Sequence, residues 1–186
     1  MNAENKDTTP RPITTERLIL RRWQNCDLEP FAALNGDPEV MRFFPSTINR
    51  EQSQAIIERS EKSFSENGFG LWAVEEQATG EFIGFVGLAS PRFETAFTPC
   101  VEVGWRLAQK FWGKGYAQEA ARAAMKDGFE RLGLPEIVSF TATINKPSIK
   151  VMERLGMQRD LNNDFMHPNL AADSPLALHV LYRKRS

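Results

Sequence analysis

The chain has 186 residues, 41% hydrophobic and 25% charged, which suffices for one buried core and excludes collagen-like and low-complexity classes. Lysine and arginine total 23 against 24 for aspartate and glutamate, a net charge of −1 that leaves no global positive field for a nucleic acid. Two cysteines, Cys26 and Cys100, exclude a four-thiolate metal site and fit a reduced, cytoplasmic compartment.

Residues 1–15 lack apolar periodicity and read as a mobile tail before a single domain over 16–186. Met1–Pro12 has no apolar signal core, and no apolar run approaches the roughly 20 residues that span a bilayer, so no membrane partner is expected. Leu18-Ile-Leu20, followed by Trp23, reads as a short strand. Asp27 offers an N-cap for a helix through Phe31 and Leu34, and Asp37-Pro38 repeats the signal for a second. Asn49-Arg-Glu-Gln52 has the form of a capping box, opening a helix to about Asn67 with Gly68 as its stop. The thin apolar face of that helix, Ile56, Ile57 and Phe64, suits a surface helix along the wall of a cleft. Leu71–Val74 and Phe82–Leu88, joined through Ala78-Thr-Gly80, read as an antiparallel hairpin.

From Val101 to Leu107 apolar residues alternate with Glu102, Gly104 and Arg106, the period of a strand with two differently used faces. Phe111-Trp-Gly-Lys-Gly-Tyr116 follows, then Ala117, Ala120, Ala121, Ala124, Met125, Gly128, Phe129 and Leu132 mark one face of a long helix. Gly133 and Pro135 end it, and Ile137–Ile144 reads as a strand parallel to the first. A last helix opens at Asn145 and Pro147 and closes at Gly156, and His179–Tyr182 reads as a closing strand. Trp72, Trp105 and Trp112 read as packing residues.

A strand that stops in a glycine turn at a helix N-terminus leaves unpaired N–H groups with the positive end of the helix dipole behind them, and phosphate is the natural ligand. The alternative is that Gly113 and Gly115 only permit a tight turn. A Walker loop needs Ser or Thr after the lysine, where this chain has Gly115; a dinucleotide fingerprint needs Gly three residues later, where it has Gln118.

Glu102-Val-Gly-Trp-Arg-Leu107, Trp112-Gly-Lys-Gly-Tyr-Ala-x-Glu-Ala120, Asn145-x-x-Ser148 and Glu153-Arg-Leu-Gly-Met157 together resemble the GNAT family of N-acetyltransferases, in its RimJ/RimL-like branch. Thr15-Glu-Arg-Leu-Ile-Leu-Arg-Arg-Trp23 and Phe82-Ile-Gly-Phe85 resemble that branch too. The resemblance implies an α/β (α+β) fold, a mixed six- or seven-stranded sheet flanked by helices and splayed between the strands near 101–107 and 137–144, with acetyl-coenzyme A in the gap. Its pantetheine arm would pair like an added strand with the backbone of Val103, Trp105 and Leu107. Its pyrophosphate would sit on the turn Lys110, Phe111, Trp112, Gly113, Lys114, Gly115 and Tyr116, with Lys110 where the family has Gln or Arg. Asn145 would hold a pantetheine amide, or serve as an ordinary helix cap, and Lys150 would meet a phosphate.

The implied activity is transfer of acetyl from acetyl-coenzyme A to a primary amine: a peptide or protein N-terminus, a peptide-like antibiotic or a small amine. Glu102 is the candidate base, directly or through water; it is otherwise a substrate-orienting or surface glutamate. Relatives that use a tyrosine acid place it seven residues after the asparagine, where this chain has Met152, so Ser148 becomes the group that meets the departing thiolate. His167 and His179 lack a third ligand, so no metal is expected. A catalytically silent acyl-coenzyme A sensor is the rival reading, and a monomer or homodimer suits both.

Overall fold

The computed structural model describes residues 9–186, so the tail expected over Met1–Thr8 lies outside the described residues. β1 (Ile13–Thr14) and β2 (Leu18–Arg21) lead into α1 (Leu28–Gly36), α2 (Pro38–Met41) and α3 (Arg50–Asn67). β3 (Leu71–Glu76), β4 (Glu81–Ala89) and β5 (Glu102–Leu107) form an antiparallel meander. α4 (Tyr116–Glu130) crosses to β6 (Glu136–Ala142), and α5 (Lys146–Arg154) precedes β7 (Gln158–Arg159), β8 (Phe165–Met166) and β9 (Leu178–Arg185). The sheet runs β1-β2-β3-β4-β5-β6-β9-β7, with β8 also on β9, and β5–β6 is its parallel pair. Among the described residues six strands have four or more residues, and β1, β7 and β8, with two each, take the count to nine.

Local signals place most helix ends. Asn49 accepts from the Gln52 N–H at 2.9 Å while the Gln52 side chain accepts from the Asn49 N–H at 2.8 Å, and Gly68 ends α3 at φ 75°. Asp37 caps α2 by accepting from the Glu39 N–H at 2.9 Å. Asp27 stands at the N-cap position of α1, but its carboxylate takes the Arg21 guanidinium (2.7 and 2.9 Å) and the Gln24 N–H (2.8 Å), closing a capping box on the 3-10 turn Asn25–Asp27, and makes no cap bond to α1. An arginine fork holds a buried carboxylate more strongly than one N–H of the next turn. Ile13 and Thr14 depart from expectation, pairing with Leu20 and Ile19, so the sheet begins before Glu16. The strand expected to reach Ile144 ends at Ala142, and Ile144 is exposed.

Two apolar layers clasp the sheet. On one face, α4 lays Ala120, Ala121, Ala124 and Met125 on Val86, Leu88, Val103 and Ile137; on the other, α1 and α3 pack Phe31 and Ile57 against Ala73 and Phe85. Trp72 belongs to the first layer, against Phe64. The approach of α4 is tight at Gly128, where an added Cβ would lie 2.8 Å from Leu88 Cδ1 and 3.0 Å from Ile137 Cδ1. Gly128→Val is therefore expected to cost about 2 kcal/mol by overpacking, read as a lowered midpoint in chemical denaturation with an unchanged slope.

Candidate active site

β5 and β6 pair at one position, Glu102 opposite Val138, where the Val138 N–H meets the Val101 carbonyl at 2.9 Å. Beyond it the strands part and open a cleft of about 600 Å³, within the usual range for a small-molecule site. Across the gap the Ser139 hydroxyl donates to the Val103 carbonyl at 2.9 Å, and the Trp112 indole N–H donates to the Leu107 carbonyl at 2.8 Å. The same alternation turns the backbone of Trp105 toward the gap, so Trp105 offers the free strand edge while Val103 and Leu107 already have partners there. Trp112 is 38% exposed at the cleft mouth, a correction to its reading as a packing residue.

At the end of β5 the chain makes a 3-10 turn over Gln109–Phe111 and enters α4 through two left-handed glycines, Gly113 (φ 76°) and Gly115 (φ 82°). The N–H groups of Gly113, Lys114, Gly115, Tyr116, Ala117 and Gln118 find no acceptor among the described residues. All of these but Lys114 line the cleft. This donor set at a helix N-terminus fits a diphosphate. Two side chains expected here turn elsewhere: Lys110 pairs with Glu81, and Lys114 lies over the Phe111 and Tyr116 rings. The cations lining the cleft are Lys150, Arg154, Arg42 and Arg106. Phe111 is buried, and Tyr116 donates its hydroxyl to Glu76 at 2.5 Å, so both side chains serve the scaffold under the turn.

The turn is held from outside by a clamp. Glu119 accepts from the Thr15 hydroxyl (2.6 Å), the Arg17 N–H (2.9 Å) and Arg17 Nε (2.7 Å), and Arg17 Nη1 donates to the Lys114 carbonyl (3.0 Å). Burial raises the Glu119 carboxyl, but these hydrogen bonds outweigh it and hold the group below its ordinary value. Thr15, Arg17 and Glu119 are motif letters whose task the sequence leaves unstated.

Glu102 stands where the strands part, on the β5 face opposite Val103, with its Oε1 3.8 Å from where a Gly104 Cβ would be. It has no hydrogen bond or ion pair among the described residues, and desolvation pushes its carboxyl up to about 8. Across the cleft, Ser148 sits in the first turn of α5, its N–H donating to Asn145 Oδ1 at 3.3 Å and its hydroxyl without a partner among the described residues. Asn145 is the helix cap and also donates to Thr141 Oγ1 at 2.9 Å, leaving one amide hydrogen for a ligand. Met152, where an acid would stand, is 1% exposed and lines the same wall.

The opposite wall belongs to α2 and the turn Arg42–Pro45, not to α3, whose apolar face is spent on α1 and the sheet. Beyond Glu102 the lining adds Phe140, His167 and His179, three rings that the sequence did not place together; the two imidazoles lie 5.0 Å apart, and burial lowers both below their ordinary value. Cys26 and Cys100 are free thiols, and desolvation pushes Cys100 up to about 11. Among the described residues no three or more ligating side chains cluster as a metal site, and no helix is long and apolar enough to cross a membrane.

Comparison with known proteins gives this arrangement its class. The acetyltransferase (GNAT) domain matches residues 17–158. The chain is 32% identical over 158 residues to YkkB of Bacillus subtilis, covering 84% of this chain and 87% of that protein. The crystal structure of an acetyltransferase from Agrobacterium tumefaciens matches with a TM-score of 0.78 at 27% identity, covering 100% of both chains. The structure of the RimL alpha-N-protein acetyltransferase in complex with coenzyme A matches with a TM-score of 0.75 at 14% identity over 94% of this chain and 98% of that one, a likeness of fold. An open mixed sheet with a phosphate-ready turn at its parting strands thus defines an acyltransferase. The chain belongs to the GNAT family of N-acetyltransferases, whose acetyl donor is acetyl-coenzyme A.

Proposed function

We propose that the protein acetylates a primary amine of a peptide or small amine by direct attack, with Glu102 taking the amine proton and Ser148 meeting the departing sulfur. The observation that carries this reading is the run of unpaired N–H groups from Gly113 to Gln118, connected by the parted strands to an unpartnered carboxylate at Glu102. The coenzyme A held by the RimL structure supports the same use of this cleft.

When bound, acetyl-coenzyme A supplies an acetyl thioester. The turn amides of residues 113–118 bind its diphosphate, Trp105 holds the pantetheine arm through its backbone, and the remaining Asn145 amide hydrogen meets a pantetheine carbonyl. An alkyl ammonium is mostly protonated near neutral pH, so the amine must lose a proton before its lone pair forms the new C–N bond. Glu102, a carboxyl whose raised value brings it near that pH, accepts the proton directly or through one water. As the C–S bond breaks, the second proton of the acylated nitrogen passes, directly or through water, to the departing sulfur, which leaves as the thiol, and the Ser148 hydroxyl donates a hydrogen bond to that sulfur; the i, i+4 relation puts Ser148 on the α5 face that Met152 also uses.

Thiol release from acetyl-coenzyme A across a panel of peptides and polyamines tests this reading, since a silent sensor binds coenzyme A and releases none. Ser148→Ala is expected to lower kcat about 10- to 100-fold with the KM for acetyl-coenzyme A little changed. An unchanged kcat removes Ser148 from the reaction.

A further inference from the structure

Arg106 lies on the β5 face that carries Glu102 and lines the same cleft. Its Nη1 donates to Asn35 Oδ1 at 2.6 Å, and Asn35 is itself fully buried and fixed by donating to Ser53 Oγ at 2.9 Å. The guanidinium is covered by the Phe44 ring at 4.2 Å, with the Phe85 ring at 5.3 Å. Its Nε is buried with no acceptor, and no carboxylate among the described residues pairs with it. Other arginines drawn into the fold are treated differently. Arg21 holds Asp27 and Glu75, Arg131 holds Asp127, and Arg183 holds Glu136 and Asp160. Glu39, the other acidic residue on the cleft wall, is engaged with Arg42. A desolvated cation, pinned in orientation and left without its anion inside a binding cleft, is a costly arrangement for stability alone.

Resting on the acetyltransferase reading above, we infer that the acceptor is a short peptide amine bearing a carboxylate, with the amine held at Glu102 and the carboxylate received by Arg106 under the Phe44 ring. Residues four apart on a strand have Cα atoms about 13 Å apart. The two anchor points therefore call for an amine and a carboxylate separated by something on the order of 10 Å, a few residues of extended peptide. A free α-amino acid carries both groups on one carbon and is too short to reach both. The acid enters as an acidic side chain or a free C-terminus a few residues from the amine. Phe44, partly exposed on the turn after α2, lies over the guanidinium and shields the pair from water.

The test uses the full-length protein with acetyl-coenzyme A and matched peptides that differ only as Asp against Asn, Glu against Gln, or free against amidated C-terminus, at second to fourth positions. Initial rates of thiol release are expected to favour the acidic member of at least one pair by tenfold or more in kcat/KM, largely through KM, because a charge-assisted contact is being offered or withheld. In Arg106→Gln that ratio is expected to fall to about one, and in Arg106→Lys to an intermediate value, since lysine keeps the charge without the fork. Turnover of the panel with no acid preference in the wild-type protein overturns the inference and leaves the acetyltransferase reading standing. Absence of thiol release with every peptide and polyamine overturns both. The wild-type ratio decides the matter even where an Arg106 variant fails to fold.

Discussion

Glu102→Gln is expected to lower kcat about 10²- to 10³-fold and, at pH 8 and above, to make the folded protein more stable than the wild type. Both effects have one cause. Surrounding protein limits the water that reaches this partly buried carboxylate and, among the described residues, supplies no donor in return, so desolvation favours the protonated form and pushes the group up to about 8 from its ordinary value of 4.5. A folded-state value above the unfolded one gives stability that is fully present below about pH 4.5 and is lost as pH rises through about 8, because the unfolded chain ionises freely and the folded one does not. Activity runs the other way. The carboxylate accepts a proton only when ionised, so kcat/KM climbs with pH and levels off above about 8. The neutral amide of glutamine keeps the shape and removes both titrations. Rate profiles and melting temperatures for the two proteins from pH 5.5 to 9.5 check this: the acidic limb and the downward slope in stability should vanish together. A Glu102→Gln protein with the wild-type rate profile would remove Glu102 from proton transfer.

Features whose cause lies within a few residues were legible in the sequence. The capping box at Asn49, the stop at Gly68, the small-residue face of α4 and the glycine turn into it all follow from local backbone requirements, and each is found in place. Features decided by distant partners were not. Asp27 carries an N-cap letter, but Arg21 reaches it across the β2 turn. Lys110 stands at the turn, yet Glu81, 29 residues earlier, draws it away, and no periodicity reports such a pairing. The two-residue strands β1, β7 and β8 are too short to show an alternation and exist because β2 and β9 offer them an edge. Glu102 and Ser148 were legible as letters at family spacing; the missing partner of each became visible once the strands were seen to part. Arg106 was legible only as the polar face of a strand. Its meaning comes from the absence of an acid nearby, and an absence in space has no letter.

Gly115→Val is the substitution expected to damage cofactor binding most, with the Kd for coenzyme A rising at least tenfold. Gly115 is the N-cap of α4 and sits at φ 82°, where a β-branched residue meets severe steric conflict. No side chain caps this helix, so its first N–H groups depend on the glycine alone for their direction. Relief of the strain moves φ toward negative values and swings the amides of Gly115, Tyr116 and Ala117 off a common focus, which removes several donors from the diphosphate at once. A side chain there also meets the clamp, because even a single Cβ would lie 3.6 Å from Arg17 Nη2, the guanidinium that fixes the Lys114 carbonyl. Fold stability should fall by only about 1–2 kcal/mol, the usual cost of one residue held in a strained region. Isothermal titration with coenzyme A, beside a denaturation curve for the same variant, separates the two effects: binding lost well beyond the stability change marks the turn as the phosphate site. Unchanged affinity for coenzyme A would mean that the diphosphate is held elsewhere, and Lys150 and Arg154 on the α5 wall would then be the cations to test.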